Sequence, residues 1–191
     1  MCIRDRDTDD KRKVEGSEEL IIRSLKFFGI EFDEGVSLEG EKGIYGPYRQ
    51  SDRREIYQTA AKYLTEKGFT YPSFVSEEEM AQIREEQEKA GVNTGYYGEW
   101  AKDRGLTFEE IKDNLDAGKP WTLRLKSSGD PEVVMKFKDG IRGEINVRQN
   151  NLDVVILKQN GIPTYHFAHV VDDHFMRVTD VVRGEEWLST L

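Results

Sequence analysis

The chain has 191 residues and a formal net charge of −9, with 34% charged and 37% hydrophobic residues. This length and composition predict one or two globular domains rather than a disordered chain, and the acidic balance argues against bulk, non-specific nucleic-acid binding. No run of 18 apolar residues is present, which excludes a membrane span, and no secretory leader pattern is present, which makes the cytoplasm the default location. Cys2 is the single cysteine, which excludes an internal disulfide and a cysteine-built zinc site.

The N-terminal third of the sequence predicts two helices separated by a loop. Residues 14–28 carry apolar side chains near helical spacing. Residues 31–50 are rich in glycine and are predicted to be irregular. Ser51 is predicted to cap a second helix that runs to Lys67, and residues 69–74 predict a short strand. The inward positions of the first helix are predicted to be Val14, Ile21, Ile22, Leu25 and Phe28.

The middle of the chain changes from helical to strand-like patterning. Ser76 with Glu79, and Thr107 with Glu110, form two capping-box patterns that predict a helix each. From residue 120 apolar and polar residues alternate, which is typical of half-buried strands. Strands are predicted at residues 121–125, 133–137, 141–147 and 154–157. Helices followed by short antiparallel strands predict an α+β insertion at about residues 71–160.

Residues 163–176 predict a helix that contains all three histidines of the chain. At about 100° per residue, His166, His169 and Asp173 fall within roughly 60° of one another. Imidazole and carboxylate groups can hold zinc or iron, although a set from one helix gives poor tetrahedral geometry. The alternative is a polar helix face that borders a substrate cleft. Residues 178–183 then predict a buried strand.

Two short motifs are candidates for binding an anion. Arg183 in Arg183-Gly-Glu-Glu-Trp187 follows the last predicted strand, where ligands of open α/β sheets bind, but a surface salt-bridge cluster is an equally good interpretation. Residues 46–51 open a helix, whose N-terminus can bind an anion or can be a turn only.

The charge is uneven along the chain. Residues 119–158 contain eight Lys or Arg against five Asp or Glu, whereas residues 1–118 contain 18 against 27. The weakly basic segment is consistent with a local phosphate contact or with a solvated surface of mixed charge.

Read in order, six motifs resemble glutamyl-tRNA synthetases of the bacterial type. They are Asp7-Thr-Asp9, Val14-Glu-Gly16, Gly46-Pro-Tyr-Arg-Gln-Ser51, Gly161-Ile-Pro-Thr-Tyr-His166, Val170-Val-Asp-Asp-His174 and Arg183-Gly-Glu-Glu-Trp-Leu-Ser189. The resemblance implies an α/β fold: an incomplete, Rossmann-like class I catalytic domain interrupted by an α+β connective insertion. Residues 1–70 and 161–191 are then parts of the catalytic domain, and residues 71–160 are the insertion that holds the tRNA acceptor stem.

The resemblance also implies an activity and a set of site residues. Such enzymes use ATP with Mg²⁺ to activate glutamate as glutamyl adenylate and transfer it to tRNA(Glu); a monomeric parent without a membrane partner is expected. Tyr165, His169 and Arg183 are expected to contact glutamate. Glu186 and Trp187 are expected near ATP, and Arg12 near the tRNA end.

The sequence departs from the family pattern in places that matter for activity. The His-x-Gly-His signature and the Lys-Met-Ser-Lys-Ser-like loop are absent, so the chain is expected not to activate glutamate alone. His169 stands where many relatives carry Asn. Ser73, with no cysteine nearby, excludes the cysteine-bound zinc of some members, so no zinc is expected.

Other functions compete with this interpretation. The sister enzymes for glutamine and the shortened relatives that modify a tRNA base share much of the fold. A small metal-dependent hydrolase would use His166, His169 and Asp173. An inactive tRNA-binding fragment would bind an acceptor stem without exchanging pyrophosphate into ATP.

Overall fold

The computed structural model describes residues 2–3, 16–182 and 184, and of residues 2–3 only the backbone. The helices and strands, in chain order, are β1 (Cys2–Ile3), α1 (Ser17–Phe27), β2 (Glu34–Ser37), β3 (Gly40–Lys42), α2 (Arg54–Glu66), β4 (Thr70–Ser73), α3 (Glu77–Ala90), α4 (Phe108–Asp116), β5 (Thr122–Leu125), β6 (Val134–Asp139), β7 (Gly143–Arg148), β8 (Val155–Leu157) and α5 (Tyr165–Phe175). Short 3₁₀ turns occupy Gln50–Arg53, Gly98–Trp100 and Lys102–Gly105. No helix in these ranges is long and apolar enough to cross a membrane.

The described residues divide into two compact units. The first unit contains residues up to 60 together with residues 161–180, and the second contains residues 61–160 together with those from 181 on. Residues 61–160 are therefore inserted, in sequence, between two parts of the first unit.

The first unit is built on a small mixed sheet. Strand β2 pairs in parallel with β1 and antiparallel with β3. The apolar core of this unit combines residues of α1, β2, the segment after β3 and the end of α5, which are Ile22, Val36, Tyr48 and Met176. The helix predicted at α1 is confirmed, but two of its predicted inward side chains are exposed, Ile21 by 53% and Phe28 by 73%. Ile22 is buried and Leu25 half-buried, and Val14 lies outside the described residues.

The prediction of an irregular segment at residues 31–50 was wrong in its first half. Strands β2 and β3 form a tight hairpin there, in which Ser37 pairs with Gly40. The Ser37 hydroxyl donates a 2.7 Å hydrogen bond to the carbonyl oxygen of Gly40, which adopts a positive φ of 118°. All three residues of β3 are exposed, so the hairpin lacks the alternation of buried and exposed side chains that identifies a strand from sequence.

The helix predicted to begin at Ser51 is confirmed, but its start differs. A 3₁₀ turn at Gln50–Arg53 precedes α2, and the residue at the cap position is Arg49, with no side-chain capping hydrogen bond. The apolar face of α2 is buried at Tyr57 and Ala61 as predicted. Ser51 lies within this 3₁₀ turn and not at its cap position.

Both predicted capping boxes are present in the second unit. The Ser76 hydroxyl accepts from the Glu79 amide at 3.1 Å while the Glu79 carboxylate accepts from the Ser76 amide at 2.8 Å. Thr107 and Glu110 repeat the arrangement at the start of α4. Each box satisfies backbone N–H groups that a helix leaves unpaired, so it fixes where α3 and α4 begin.

The four predicted strands of the second unit are also confirmed. Strands β4, β5 and β8 form an antiparallel sheet, and β6 and β7 form a separate two-stranded hairpin. The core cluster of this unit contains Tyr71, Ile83, Tyr96 and Ala101.

The buried strand predicted at residues 178–183 is not formed at residues 178–182. These five residues have no regular secondary structure, and Val182 is 98% exposed. β-branched residues favour a strand only where a neighbouring strand accepts the hydrogen bonds, and none of the described strands pairs with this segment.

Candidate functional site

One face of α5 carries three side chains spaced four residues apart, so they lie one above another along the helix. The rings of Tyr165 and His169 are stacked, with centroids 6.0 Å apart and planes 21° from parallel. The imidazole Nδ1 of His169 lies 2.7 Å from Oδ2 of Asp173. Asp173 therefore orients the imidazole and Tyr165 packs against its ring, which gives the face a defined shape.

A buried polar cluster lies beside this face. The Asp172 carboxylate is fully buried and accepts hydrogen bonds from Arg53 Nε at 2.8 Å and from Gln50 Nε2 at 2.9 Å. The Tyr57 hydroxyl lies 2.9 and 3.0 Å from the two carboxylate oxygens. We call Gln50, Arg53, Tyr57 and Asp172 the Asp172 cluster. It joins α5 to the start of α2, about 120 residues earlier in the chain.

Arg53 extends the cluster to a third segment. The guanidinium is 2% exposed, and its Nη1 donates to the carbonyl oxygens of Tyr45 at 3.2 Å and Pro47 at 2.9 Å. Arg53 therefore holds the chain that precedes α2 with one end of its planar group and Asp172 with the other. A buried charge needs such partners, because an uncompensated one is very unfavourable.

The surroundings of Tyr57 keep its hydroxyl protonated. Burial is the main cause that raises the pKa of Tyr57 above its usual value, and the negative charge of Asp172 raises it further. The phenol is thus a hydrogen-bond donor to Asp172 at all pH values at which the protein is ordinarily handled.

The predicted anion site at residues 46–51 is already filled by a side chain of the protein. The Glu41 carboxylate accepts from the backbone amides of Tyr48 at 2.8 Å and Arg49 at 3.2 Å. The Tyr48 hydroxyl in turn donates to Glu34 at 2.6 Å. These contacts attach the β2–β3 hairpin to the segment that leads into α2.

The predicted trio of His166, His169 and Asp173 does not converge on a common point. His169 is 8% exposed and paired with Asp173, whereas His166 is exposed and packs edge-on against Tyr165. Over the described ranges, no group of three or more His, Cys, Asp or Glu side chains is placed to hold a metal ion.

Four predicted site residues lie outside the described residues. They are Arg12, Arg183, Glu186 and Trp187. Of the predicted site, the structure therefore describes Tyr165 and His169, and it brings these two into contact.

Two carboxylates, one of them fully buried, organise the second unit. Asp153 is 1% exposed and accepts from the Tyr71 hydroxyl at 2.7 Å and from the Ser127 amide at 2.8 Å. Burial raises the pKa of Tyr71, and the hydrogen bond to Asp153 raises it further. Beside them, the Arg124 guanidinium lies 4.3 Å from the centre of the Tyr96 ring.

The second carboxylate, Asp103, fastens the end of β4. It accepts hydrogen bonds from the Ser73 hydroxyl at 2.8 Å and from the backbone amides of Phe74 at 2.8 Å and Val75 at 3.2 Å. The segment in which some relatives were expected to carry zinc-binding cysteines is thus held here by hydrogen bonds to one aspartate.

These polar clusters were missed in the sequence because their members are far apart in it. Asp172 directly follows Val170 and Val171 in the sequence. A charged residue among apolar ones on an amphipathic helix is the one local signal that predicts a buried charge with a partner. Nothing local indicates that Arg53 is its partner.

The chain matches one family of known proteins along nearly its whole length. Residues 1–190 match the profile of the family described as "tRNA synthetases class I (E and Q), catalytic domain". The chain belongs to this family. This match confirms the class I fold predicted from the motifs, and it supports a synthetase over a metal-dependent hydrolase.

Curated and solved synthetases of this family are similar along the whole chain. The glutamate–tRNA ligase of Acetivibrio thermocellus is 59% identical over 191 residues, which are 100% of this chain and 35% of that protein. The glutamate–tRNA ligase of Clostridium beijerinckii is 52% identical over 190 residues, 99% of this chain and 34% of that protein. The chain thus spans about a third of the length of these relatives.

Two crystal structures of class I synthetases share the fold. A glutamate–tRNA ligase from Elizabethkingia meningosepticum, solved in complex with its amino acid, has a TM-score of 0.82 and 39% identity over 98% of this chain and 37% of its own. The enzyme from Elizabethkingia anophelis has a TM-score of 0.83 and 38% identity over 100% of this chain and 38% of its own. At these identities the α/β architecture of the described residues is that of the synthetase catalytic domain.

Proposed function

We propose that the protein containing this sequence is a glutamate–tRNA ligase that acts in the cytoplasm. It activates glutamate with ATP and Mg²⁺ to glutamyl adenylate and transfers the glutamyl group to tRNA(Glu). The observation that carries the proposal is the 59% identity, over every residue of this chain, to a protein named glutamate–tRNA ligase. The alternative, a glutamine-specific relative of the same family, lacks a comparable match among the similar proteins described above.

The α5 face is proposed to contact the amino acid. Tyr165 supplies an aromatic wall and a hydroxyl, and His169 supplies an imidazole whose orientation is set by Asp173. Arg183 is proposed to pair with a carboxylate of glutamate, for which a guanidinium is well suited because its N–H groups match the two carboxylate oxygens. Such sites accelerate the reaction mainly by positioning the reactants.

The remaining predicted residues are proposed to contact the other substrates. Glu186 and Trp187 lie near ATP, and Arg12 lies near the terminal nucleotide of the tRNA. Residues 71–160 are proposed to bind the acceptor stem, flanked by the catalytic parts 1–70 and 161–191. The separate compactness of residues 61–160 supports this division, and the excess of basic residues in 119–158 supports phosphate contacts there.

The complete gene product that contains this sequence is expected to exchange pyrophosphate into ATP when glutamate and tRNA are present, and not when glutamine replaces glutamate. The reason is that the site pairs a carboxylate, and a neutral amide leaves the charged partner uncompensated. The measurement is incorporation of labelled pyrophosphate into ATP with each amino acid. Equal exchange with glutamine would contradict the proposed specificity.

Replacing Arg183 by alanine in the same protein is expected to lower kcat/KM for glutamate at least about tenfold, because a charge-assisted pair with the substrate carboxylate is lost. Steady-state exchange kinetics measure the effect. The matched control is Lys26→Ala, which removes an exposed cation from the last turn of α1. An unchanged kcat/KM for Arg183→Ala would remove Arg183 from the site.

A further inference from the structure

We propose that the Asp172 cluster positions the α5 face for the amino acid, so that Arg53 and Tyr57 set glutamate affinity without touching glutamate. The proposal rests on the function proposed above, since it assumes that Tyr165 and His169 contact the substrate. In these terms Arg53, Tyr57 and Asp172 are positioning residues.

Asp172 is held by hydrogen-bond donors from several directions. Its carboxylate receives Arg53 Nε and Gln50 Nε2 from the 3₁₀ turn and the Tyr57 hydroxyl from the first turns of α2. These donors bond to both oxygens of one planar group, and their 2.8–3.0 Å distances leave little freedom. Neither a shift along the helix axis nor a rotation about it keeps all these bonds.

Asp172 lies on α5 close to the two stacked rings. It is three residues after His169 and seven after Tyr165, which places it about 60° and about 20° around the helix from them. A rotation of about 10° moves a ring roughly 6 Å from the helix axis by about 1 Å, and misplacement of that size lowers rates substantially. Holding Asp172 therefore holds the stacked pair of rings.

Apolar packing alone does not require the Asp172 cluster. A buried ion pair is often no more stabilising than apolar side chains of the same volume, because removing two charges from water is unfavourable. Hydrogen bonds depend on the orientation of the groups that they join, whereas apolar contacts do not. A cluster with one acid, one guanidinium, one phenol and one amide, all buried, is suited to fixing an orientation.

Arg53 also connects this orientation to the segment before α2. Its Nη1 reaches the carbonyl oxygens of Tyr45 and Pro47, and the next residue, Tyr48, is held by Glu34 and Glu41 of the hairpin. Through these hydrogen bonds Arg53 links α5 to the segment that the β2–β3 hairpin holds. A change at Arg53 is expected to reach the α5 face through Asp172.

The test uses two conservative variants of the complete gene product, Tyr57→Phe and Arg53→Lys. The first removes the hydroxyl that bonds both Asp172 oxygens, and the second keeps a positive charge but not the planar fork that reaches Tyr45 and Pro47. Each is expected to raise the KM for glutamate about three- to tenfold and to change the KM for ATP less than about twofold. Tyr63→Phe and Arg54→Lys, at exposed positions of α2, are the matched controls.

The outcomes separate positioning from a merely structural role. A general loss of stability lowers the fraction of active protein and leaves both KM values unchanged, so a glutamate KM unchanged in both variants overturns the proposal. Equal increases in the two KM values also overturn it. If the unaltered protein shows no glutamate-dependent exchange, the proposed function and the positioning role fail together; if it does and the variants match it, the positioning role alone fails.

Discussion

Replacing Arg53 by methionine is expected to lower the free energy of unfolding of the first unit by about 3–5 kcal/mol. Methionine fills much of the same volume but leaves the fully buried Asp172 carboxylate without its cationic partner. It also leaves the carbonyl oxygens of Tyr45 and Pro47 without the Nη1 donor. The loss is far larger than that of an exposed ion pair, which contributes about 0–1 kcal/mol.

Urea unfolding followed by circular dichroism measures this effect. Arg54→Met, at the next and exposed position, is the control and is expected to change the free energy of unfolding by less than about 0.5 kcal/mol. The double variant Arg53→Met/Asp172→Leu is expected to be more stable than Arg53→Met, because no charge is then left buried alone. A double variant less stable than the single one would show that the buried charge is not the cause.

The second unit is expected to lose stability steeply above about pH 10. Burial raises the pKa of Tyr71 and of Tyr96, and the neighbouring Asp153 raises that of Tyr71 further. In the unfolded chain both phenols ionise near pH 10, whereas in the folded unit they stay protonated. Their contribution is therefore complete below the unfolded pKa and is lost as the pH rises through the folded one. The slope due to Tyr71 is expected to approach about 1.4 kcal/mol per pH unit above the unfolded pKa, and Tyr96 contributes in the same direction.

The slope is measured from urea unfolding at several pH values between 9 and about 11, and lysine ionisation contributes to it in every variant. Tyr71→Phe is expected to reduce the slope by about 0.7 kcal/mol per pH unit at pH 10 and by about 1.2 at pH 11, since one ionising group is removed. Tyr63→Phe, at a position that is 58% exposed, is the control and is expected to leave the slope unchanged. Identical slopes for the two variants would contradict the role assigned to burial of Tyr71.

The elements that could be predicted from the sequence are those with a local cause. The capping boxes Ser76/Glu79 and Thr107/Glu110 place the starts of α3 and α4 because each box is closed within four residues. The helical period over residues 54–66 and 165–175 identifies α2 and α5, since side chains four residues apart share a face. The ordered motifs identified the family for the same reason: each is a short, contiguous stretch.

The errors occurred where a distant partner decides the structure. The second strand of the β2–β3 hairpin is exposed, so its side chains do not alternate between buried and exposed positions. Residues 178–182 include β-branched side chains, but no described strand pairs with them. In the candidate site, the family resemblance placed Tyr165 and His169 in one pocket, and the helical spacing placed His169 and Asp173 on one face of α5. The sequence did not indicate that Asp153 and Asp172 would be buried, or that Asp103 would accept the hydrogen bonds at the end of β4.

The sequence by itself thus determined the family, the order of most helices and strands, and the polar face of α5 that carries His169 and Asp173, all of which follow from residues close together along the chain. The tertiary structure alone decided that Asp172 is held by Arg53 and Tyr57, from more than 110 residues earlier. A buried charge must find its partner wherever folding brings one. The orientation of the α5 face is therefore a property of the folded first unit and not of the motif that contains it.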